Sequence, residues 1–283
     1  MKIAFITPVP MLEKYATQSN YHLILAQVCA KSPEYVEFYR ERRRAGDYVI
    51  LDNGAYELGA GVDVQLLKKY ADIIQPSAVV LPDVRNDALS TIALTRQAIE
   101  VLRQPNRELF AVPQAPLETE PGALDAWFAS LRTLQSNPAI SAIGIYPETS
   151  RFFPTMGGRA RLLWLMERGA YVQPGRSYHL LGMNPNPVEI QECAKYPWVI
   201  GADSAKPIVY GLYGIVLHSK CGAIAPYPHR PPYYFEMETD LFPDIVQRNI
   251  RTVMEWSKWN SSSLEESLGS QRPVNEPSVT DAL

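Results

Sequence analysis

The sequence predicts an α/β fold, a single-domain (β/α)8 barrel of the TIM type. Short, nearly continuous apolar runs recur along the chain, as expected of strands that are buried on both faces of a parallel sheet. Segments with helical periodicity separate these runs, and this alternation is typical of βαβ units. The length of 283 residues also suits the fold, since a barrel of this type commonly needs about 250 residues.

Seven apolar runs are predicted strands, at residues 3–7, 48–52, 78–81, 109–112, 142–145, 178–182 and 198–202. An eighth strand is predicted at 213–217, and eight strands would close a barrel, whereas fewer would leave an open sheet. Prolines follow several runs, at Pro8, Pro82, Pro113 and Pro147. Because proline cannot donate a hydrogen bond to a neighbouring strand, these prolines mark strand ends.

Helical patterns lie between the predicted strands. In 64–74, Val64, Leu67 and Ala71 recur on one helical face. The same pattern predicts helices at 87–102, 125–134, 159–167, 187–194 and 241–256. Asp63 and Asp87 precede two of these helices, and we interpret both as N-cap residues.

The domain prediction is a catalytic barrel over residues 1–259 and a disordered tail over 260–283, which is rich in Ser, Glu, Pro and Asn. The formal net charge is −3, so any nucleic-acid binding requires a local basic patch. The 3 cysteines are too few for a disulfide framework. The first apolar run is too short for a signal peptide or a membrane span, and a soluble cytoplasmic protein is expected.

Polar side chains follow the predicted strands where each strand ends. In chain order, these strand ends carry Asp52, Asp83, Gln114, Gly144 with Glu148, Gly182 and Asp203. In a barrel, catalytic groups lie at the C-terminal ends of the strands. Buried carboxylates are costly unless they have a partner or a function, and helix capping does not explain the whole set. His179, inside a strand, is expected to be a core histidine with satisfied hydrogen bonds.

These strand ends resemble motifs of the tRNA-guanine transglycosylase family, in particular its smaller relatives, known from phages, that place 7-deazaguanine bases in DNA. The segment Asp52-Asn-Gly-Ala-Tyr-Glu57 is similar to the family's Asp-Ser-Gly-Gly-Phe-Gln motif. The order of the motifs holds from the first strand to about Leu217. Further resemblances are found in Pro82-Asp83-Val84, Pro113-Gln114-Ala115, Gly144-Ile145 with Pro147-Glu148, Leu180-Leu181-Gly182-Met183 and Gly201-Ala202-Asp203-Ser204.

The resemblance implies a role for each matched residue. Asp203 would attack C1′ of a guanosine nucleotide and form a covalent glycosyl-enzyme, and Asp52 would be the acid/base partner. Asp83 and Gln114 would read the edge of the base. The base-binding set would be completed by backbone groups, a flat apolar surface and a stacking ring, at Gly144, Leu181, Gly182, Met183 and Tyr56.

The sequence departs from the family at its zinc site. The family's Cys-x-Cys-x-x-Cys motif is missing, and His218, Cys221 and His229 fit no standard zinc spacing. No metal is therefore expected, and the zinc subdomain should be missing. The sequence also has no P-loop and no Gly-x-Gly-x-x-Gly motif, so no cofactor is expected. Since that subdomain helps tRNA-acting members hold RNA, the departure favours DNA over tRNA. Ala55, Glu57 and Val84 also differ from the family motifs, so the base pocket should differ in detail.

Three cations near the proposed strand-end face, Lys206, Arg151 and Lys220, are predicted to contact the nucleic-acid backbone. The basic run at 40–44 is either a phosphate contact or a solvated helix face. The expected partners are DNA and a small 7-deazaguanine base. The sequence is also compatible with a homodimer or with a helper protein. The alternatives are a tRNA transglycosylase without zinc, a barrel glycosidase of a small nucleoside or sugar, and a non-catalytic barrel that binds a modified base or nucleic acid.

Overall fold

The computed structural model describes residues 1–153, 158–184 and 186–258. The predicted tail at 260–283 lies outside the described residues. Eight strands form one parallel sheet: β1 (Lys2–Phe5), β2 (Tyr21–Leu25), β3 (Tyr48–Asp52), β4 (Ala78–Val80), β5 (Glu108–Ala111), β6 (Ala142–Ile145), β7 (Ser177–Leu180) and β8 (Val199–Ser204). Two short strands, β9 (Leu217–His218) and β10 (Gly222–Ala223), form a separate antiparallel pair.

Helices connect the strands along the chain. They are α1 (Leu12–Tyr15), α2 (Ala26–Cys29), α3 (Pro33–Arg44), α4 (Ala55–Leu58), α5 (Val64–Ile74), α6 (Ala88–Leu102), α7 (Ala123–Gln135), α8 (Gly158–Arg168), α9 (Glu189–Cys193), α10 (Lys206–Leu212) and α11 (Pro243–Trp256). In the described ranges, no helix combines the length and apolar character needed to cross a membrane.

The eight strands close nearly into a barrel. Their hydrogen-bonded order runs from β1 through β8 and β7 down to β3 and β2, and β1 lies beside β2 at the remaining seam. Ser19 links the two sides of this seam, because its hydroxyl donates to the carbonyl of Ile3 in β1 at 2.6 Å, directly before β2 begins. The predicted α/β class and the (β/α)8 architecture are therefore confirmed.

The strand prediction failed at one element. Residues 213–217 were expected to supply the eighth strand, but this segment follows α10 as a turn, and only Leu217 belongs to a short antiparallel strand. The physical reason is that β8 already pairs with β7 on one side and β1 on the other, so the sheet offers it no free edge. The missing strand is β2, which the sequence reading left unassigned.

The predicted helices agree with the structure, and their ends have a chemical explanation. The carboxylate of Asp63 accepts from the backbone N–H of Gln65 at 2.8 Å, and that of Asp87 accepts from Ser90 at 2.9 Å. Both aspartates are therefore N-caps, as predicted, since they satisfy amides that lack a partner in the first turn. Each helix then buries an apolar stripe on the barrel, as α11 does with Val246 and Ile250.

Strand alternation divides the side chains between two regions. Along β2, Leu23 and Leu25 point into the barrel and line the cavity at its C-terminal end, whereas Ile24 is buried on the opposite face. The same alternation in β8 directs Gly201 and Asp203 inward. The barrel interior is thus filled with side chains, and its polar groups reach the cavity only near the strand ends.

Candidate active site

A cavity of about 410 Å³ opens at the C-terminal ends of the barrel strands. This volume falls in the range of roughly 300–1,000 Å³ that is common for small-molecule sites. All eight strands or the loops after them contribute to its wall. The predicted site residues that line this cavity are Asp52, Tyr56, Asp83, Gln114, Leu181, Gly182, Met183, Asp203 and Lys206.

Asp203, the predicted nucleophile, lies near the end of β8 and is held by two hydrogen bonds. Its Oδ1 accepts from the backbone N–H of Gly182 at 3.0 Å and lies 2.9 Å from Nε2 of His179. Both contacts within the described residues end on Oδ1, so Oδ2 is the oxygen left for a ligand in the cavity. Asp203 is 4% exposed, and this burial and fixed orientation suit a carboxylate nucleophile.

Asp52, the predicted acid/base, ends β3 on the same cavity wall. Its Oδ2 accepts from the backbone N–H of Gly54 at 3.0 Å. Gly54 has a φ of +73°, and a Cβ there would lie 2.2 Å from Oε1 of Gln27. The positive φ favours glycine at this turn, which explains why the Asp52 motif contains a glycine two residues later.

The surroundings of Asp52 favour its protonated form. Burial raises the pKa of Asp52 well above its ordinary value, and the charge of Glu57 raises it further. Burial also raises the pKa of Glu57, against the effect of Arg230, whose Nη2 donates to Glu57 Oε1 at 3.2 Å. The direction of this shift favours the protonated carboxyl group that a general acid requires.

Asp83 and Gln114 form a hydrogen-bonded polar pair on the cavity wall. The amide Nε2 of Gln114 donates to one carboxylate oxygen of Asp83 at 2.7 Å, and Nδ2 of Asn53 donates to the other at 2.9 Å. Burial raises the pKa of Asp83, while the hydrogen bonds from Asn53 and Gln114 lower it. The group presents carboxylate and amide functions together, which are suited to the edge of a purine-like base.

Asn53 was not singled out from the sequence. It is 1% exposed, and besides Asp83 its Nδ2 donates to the carbonyl of Leu81 at 2.7 Å. Its Oδ1 accepts from the N–H of Ala55 at 2.7 Å. Asn53 therefore ties the loop of Asp52 to the loop of Asp83. The sequence signal that could have identified Asn53 was its position directly after Asp52 in the motif. Its partner Asp83, however, lies 30 residues away in the sequence.

Leu181, Gly182 and Met183 form the predicted apolar wall. Gly182 adopts a φ of +59°, which turns the chain so that its N–H faces Asp203. Gly144 does not line the cavity: a Cβ there would lie 2.7 Å from Cδ1 of Leu181. The glycine thus makes room for Leu181, and the structure does not place it as the hydrogen-bonding group that the resemblance implies.

Arg159 holds this wall from behind and was missed as a site-forming residue. Its buried guanidinium donates to the carbonyls of Leu181 at 2.9 Å and Gly182 at 2.8 Å. It also forms an ion pair with Glu189 at 2.5 Å. A fully buried arginine requires such partners, but the sequence showed Arg159 only as the first residue of a predicted helix.

Tyr56, the predicted stacking residue, lies at the mouth of the cavity and is 61% exposed. The guanidinium of Arg85 lies 5.5 Å from the centre of the Tyr56 ring. Nη2 of Arg85 also donates to Glu148 at 3.3 Å. The three residues come from the loops after β3, β4 and β6, so they bridge the mouth and present an aromatic face to incoming ligands.

The three predicted backbone-contacting cations are separated in the structure. Lys206 lines the cavity three residues after Asp203, and its Nζ lies 4.9 Å from the centre of the Tyr227 ring. Its Nζ also donates to the carbonyl of Met183. Burial, followed by the charge of Arg159, lowers the pKa of Lys206 to about 8. Arg151 and Lys220 are exposed and do not contribute to the cavity wall.

The basic run at 40–44 lies at the end of α3, just before β3 begins. It therefore belongs to the opposite end of the barrel from the cavity. Arg40 pairs with Glu37 at 2.5 Å, and Arg42 pairs with Asp47 at 2.6 Å. Of the two interpretations, the structure favours a helix face whose charges are paired locally.

The candidate metal ligands do not form a cluster. Over residues 1–153, 158–184 and 186–258, no group of three or more His, Cys, Asp or Glu side chains is arranged to hold a metal ion. His218 lies in the short strand β9 and Cys221 in the turn before β10. His229 instead lines the cavity, 6.3 Å from the ring of Tyr227.

No family model and no curated protein matches the sequence. Among solved structures, the chain is similar to a chain in the BexX/CysO complex of Amycolatopsis orientalis, with 12% sequence identity and a TM-score of 0.45. The similarity covers 97% of this chain and 94% of that chain. At this level, the similarity does not bear on function, and we infer function from the cavity residues.

Proposed function

We propose that the protein is a transglycosylase that exchanges guanine in DNA for a 7-deazaguanine base through a covalent link to Asp203. The observation that carries the proposal is one cavity with two carboxyl groups in different surroundings. Asp203 receives two hydrogen bonds on one oxygen, whereas burial and Glu57 raise the pKa of Asp52. Retaining glycosyl transfer needs such a pair, one nucleophile and one acid/base.

The first step breaks the bond between C1′ and N9 of guanine. Oδ2 of Asp203 forms a bond to C1′, the electron pair of the broken bond leaves with the base, and the carboxyl of Asp52 gives N9 a proton. In the second step, the ionised Asp52 takes the N9 proton of the incoming base. That N9 then bonds to C1′, and the Asp203 carboxylate departs. Protons and charges balance over the two steps, so no cofactor is required.

The polar pair of Asp83 and Gln114 supports a purine-like substrate. Their carboxylate and amide groups can accept from and donate to the polar edge of guanine, once the base replaces part of the hydrogen bonding between them. Leu181 and Met183 supply an apolar surface beside the nucleophile. Since the reacting atoms of a stacked base are out of reach, the target nucleotide must be flipped or single-stranded.

DNA is proposed as the polymer because the sequence lacks the zinc-binding motif through which tRNA-acting relatives build their RNA-holding subdomain. Lys206 supports a backbone contact in either polymer. Among the described residues it pairs with no carboxylate, whereas the cavity arginines Arg85 and Arg230 pair with Glu148 and Glu57. It lines the same cavity as Asp203, three residues later in the chain, and this supports a contact with the sugar-phosphate that carries C1′.

The deciding experiment measures the incorporation of radiolabelled guanine into single-stranded DNA, duplex DNA and tRNA by the full chain. We expect label in DNA and little in tRNA. Label in tRNA alone would contradict the choice of polymer and support a tRNA transglycosylase without zinc. If neither polymer is labelled while a 7-deazaguanine base still binds, the barrel is a binding protein and the catalytic proposal fails.

Replacing Lys206 by methionine should weaken DNA binding roughly 5- to 10-fold and reduce the slope of log K against log salt by about 1, because one phosphate contact is lost. Fluorescence anisotropy with a labelled oligonucleotide at several salt concentrations measures both quantities. Lys2→Met is the matched control, since Lys2 is exposed at the opposite end of the barrel. Equal effects of the two substitutions would contradict the contact.

Replacing Glu57 by glutamine should move the basic limb of the pH profile for glycosyl-enzyme formation to lower pH. The charge of Glu57 raises the pKa of Asp52, and this step requires the protonated Asp52. Removing that charge lowers the pKa, so the proton is lost at a lower pH. Single-turnover rates measured across pH check the shift. Glu148→Gln removes another carboxylate that lines the cavity and is the control, so it should leave the basic limb in place. An unmoved limb in Glu57→Gln would contradict the coupling between Glu57 and Asp52.

A further inference from the structure

Three buried side chains form a hydrogen-bonded line from the barrel interior to the nucleophile. The hydroxyl of Tyr21 in β2 lies 2.8 Å from Nδ1 of His179 in β7. Nε2 of the same imidazole lies 2.9 Å from Oδ1 of Asp203 in β8. Tyr21 is 1% exposed and His179 is 0% exposed. The line therefore lies out of water, below the cavity.

The position of each proton in this line follows from its chemistry. Burial raises the pKa of Tyr21 well above its ordinary value, so its phenol stays protonated and its O–H can donate a hydrogen bond to Nδ1, 2.8 Å away. An Nδ1 atom that accepts a hydrogen bond leaves the ring proton of a neutral imidazole on Nε2. Nε2–H then donates to Asp203. Tyr21 thus fixes the tautomer of His179, and this tautomer presents Nε2–H to Asp203 as a hydrogen-bond donor.

We propose that Tyr21 and His179 are positioning residues that fix the Asp203 carboxylate through Oδ1 and leave Oδ2 to attack C1′. This inference rests on the proposed function. It assigns no substrate contact to either residue, and the Nε2 proton stays on His179 while Oδ2 bonds to C1′ and guanine departs. The Nε2–H donor orients the carboxylate through Oδ1, the oxygen that also accepts from the backbone N–H of Gly182.

The packing around Tyr21 allows one placement of its hydroxyl. The ring stacks on Tyr48, with centroids 5.2 Å apart and planes 12° from parallel. On the other side it fills the space over Gly201, where a Cβ would lie 2.5 Å from Cε1 and 2.8 Å from the hydroxyl oxygen of Tyr21. Glycine at 201 is therefore needed for Tyr21 to reach His179, and this contact spans 158 residues of sequence.

The test measures the single-turnover rate of the covalent adduct with guanine-containing DNA in four variants of the full chain. Tyr21→Phe keeps the ring and removes the donor to Nδ1, and we expect the rate to fall about 10-fold. His179→Leu removes the donor to Asp203 and should lower the rate about 100-fold. His179→Gln can still place an N–H near Oδ1, so it should recover much of that loss.

Tyr178→Phe is the matched control for the loss of a buried tyrosine hydroxyl. Its hydroxyl bonds to Gln135, Gln173 and Tyr171, away from Asp203, so the adduct rate should not change. Binding of a 7-deazaguanine base should keep its affinity in all four variants, because none contacts the base. Wild-type rates in Tyr21→Phe and His179→Leu, or a loss of base affinity that parallels the loss of rate, would overturn the inference.

A second measurement does not depend on activity. Nitrogen-15 NMR of histidine-labelled protein at neutral pH should show His179 as the Nε2–H tautomer in the wild type and a changed signal in Tyr21→Phe. An Nδ1–H tautomer would overturn the inference, whatever the kinetics. If wild-type protein forms no adduct with DNA or tRNA, the proposed function fails, and the tautomer still shows whether Tyr21 and His179 hold Asp203 as inferred.

Discussion

Asp203→Ala should form no covalent adduct with guanine-containing DNA and should lose at least about 10⁴-fold in base exchange, because the only proposed nucleophile is gone. Denaturing gel electrophoresis after incubation with labelled DNA detects the adduct, and radiolabelled guanine incorporation measures exchange. Affinity for the 7-deazaguanine base should persist, since Asp83 and Gln114 are unchanged. Of wild type and Asp203→Ala, only the wild type should form the adduct.

The control for this substitution is Asp63→Ala. Asp63 caps α5 away from the cavity, so the variant should lose about 1 kcal/mol of stability and keep wild-type adduct formation. The melting temperature of Asp203→Ala is also needed, because His179 loses its buried partner in that variant. An adduct that survives in a folded Asp203→Ala protein would contradict the assignment of the nucleophile.

Asp52→Ala should lower turnover roughly 10²- to 10⁴-fold, the usual contribution of a general acid or base, while binding of the 7-deazaguanine base is largely retained. In the proposed mechanism the departing guanine takes a proton from Asp52, so the loss should appear in the first step. Single-turnover adduct formation and calorimetric base binding separate chemistry from affinity. A nucleotide with a more acidic leaving base should recover part of the rate, since it needs less protonation.

The sign of the pH dependence follows from the direction of the pKa shift. A raised pKa keeps Asp52 protonated to higher pH, so adduct formation should fall only as pH rises through that pKa. In Asp52→Ala this basic limb should disappear. Glu118→Gln removes another carboxylate that lines the cavity and has no proposed role. Unaffected exchange in Asp52→Ala, or an equal loss in Glu118→Gln, would contradict the assignment.

Local signals in the sequence determined most secondary structure. Asp63 and Asp87 were interpreted as caps because a capping side chain acts within three residues of itself, and both hydrogen bonds are present. Helical periodicity predicted α5 and α6 almost to the residue. Strand identity was harder, because a short apolar run such as Tyr21–Leu25 fits a buried helix or a strand equally well.

The error at 213–217 has a related cause. Its β-rich sequence carries no information on which strand edges are already occupied, and the pairing of β8 with β1 leaves no edge free. The count of eight strands was therefore right, although one of the eight segments was wrong. Strand pairing joins residues far apart in the chain, as when Ile3 aligns with Ala202, so a local pattern cannot specify it.

The sequence by itself determined the fold class and the strand-end polar groups, because apolar periodicity and the place of a residue after a strand are local properties. It therefore identified Asp52, Asp83, Gln114 and Asp203, which share one cavity. Closure of the barrel brought together, from distant segments of the chain, the residues that surround these four side chains. Only the tertiary structure could decide that Gly144 makes room for Leu181 and that Arg159 holds the loop of Gly182. It also decided that Tyr21 reaches Asp203 through His179. The physical reason is that burial and hydrogen bonding depend on contacts that form after folding.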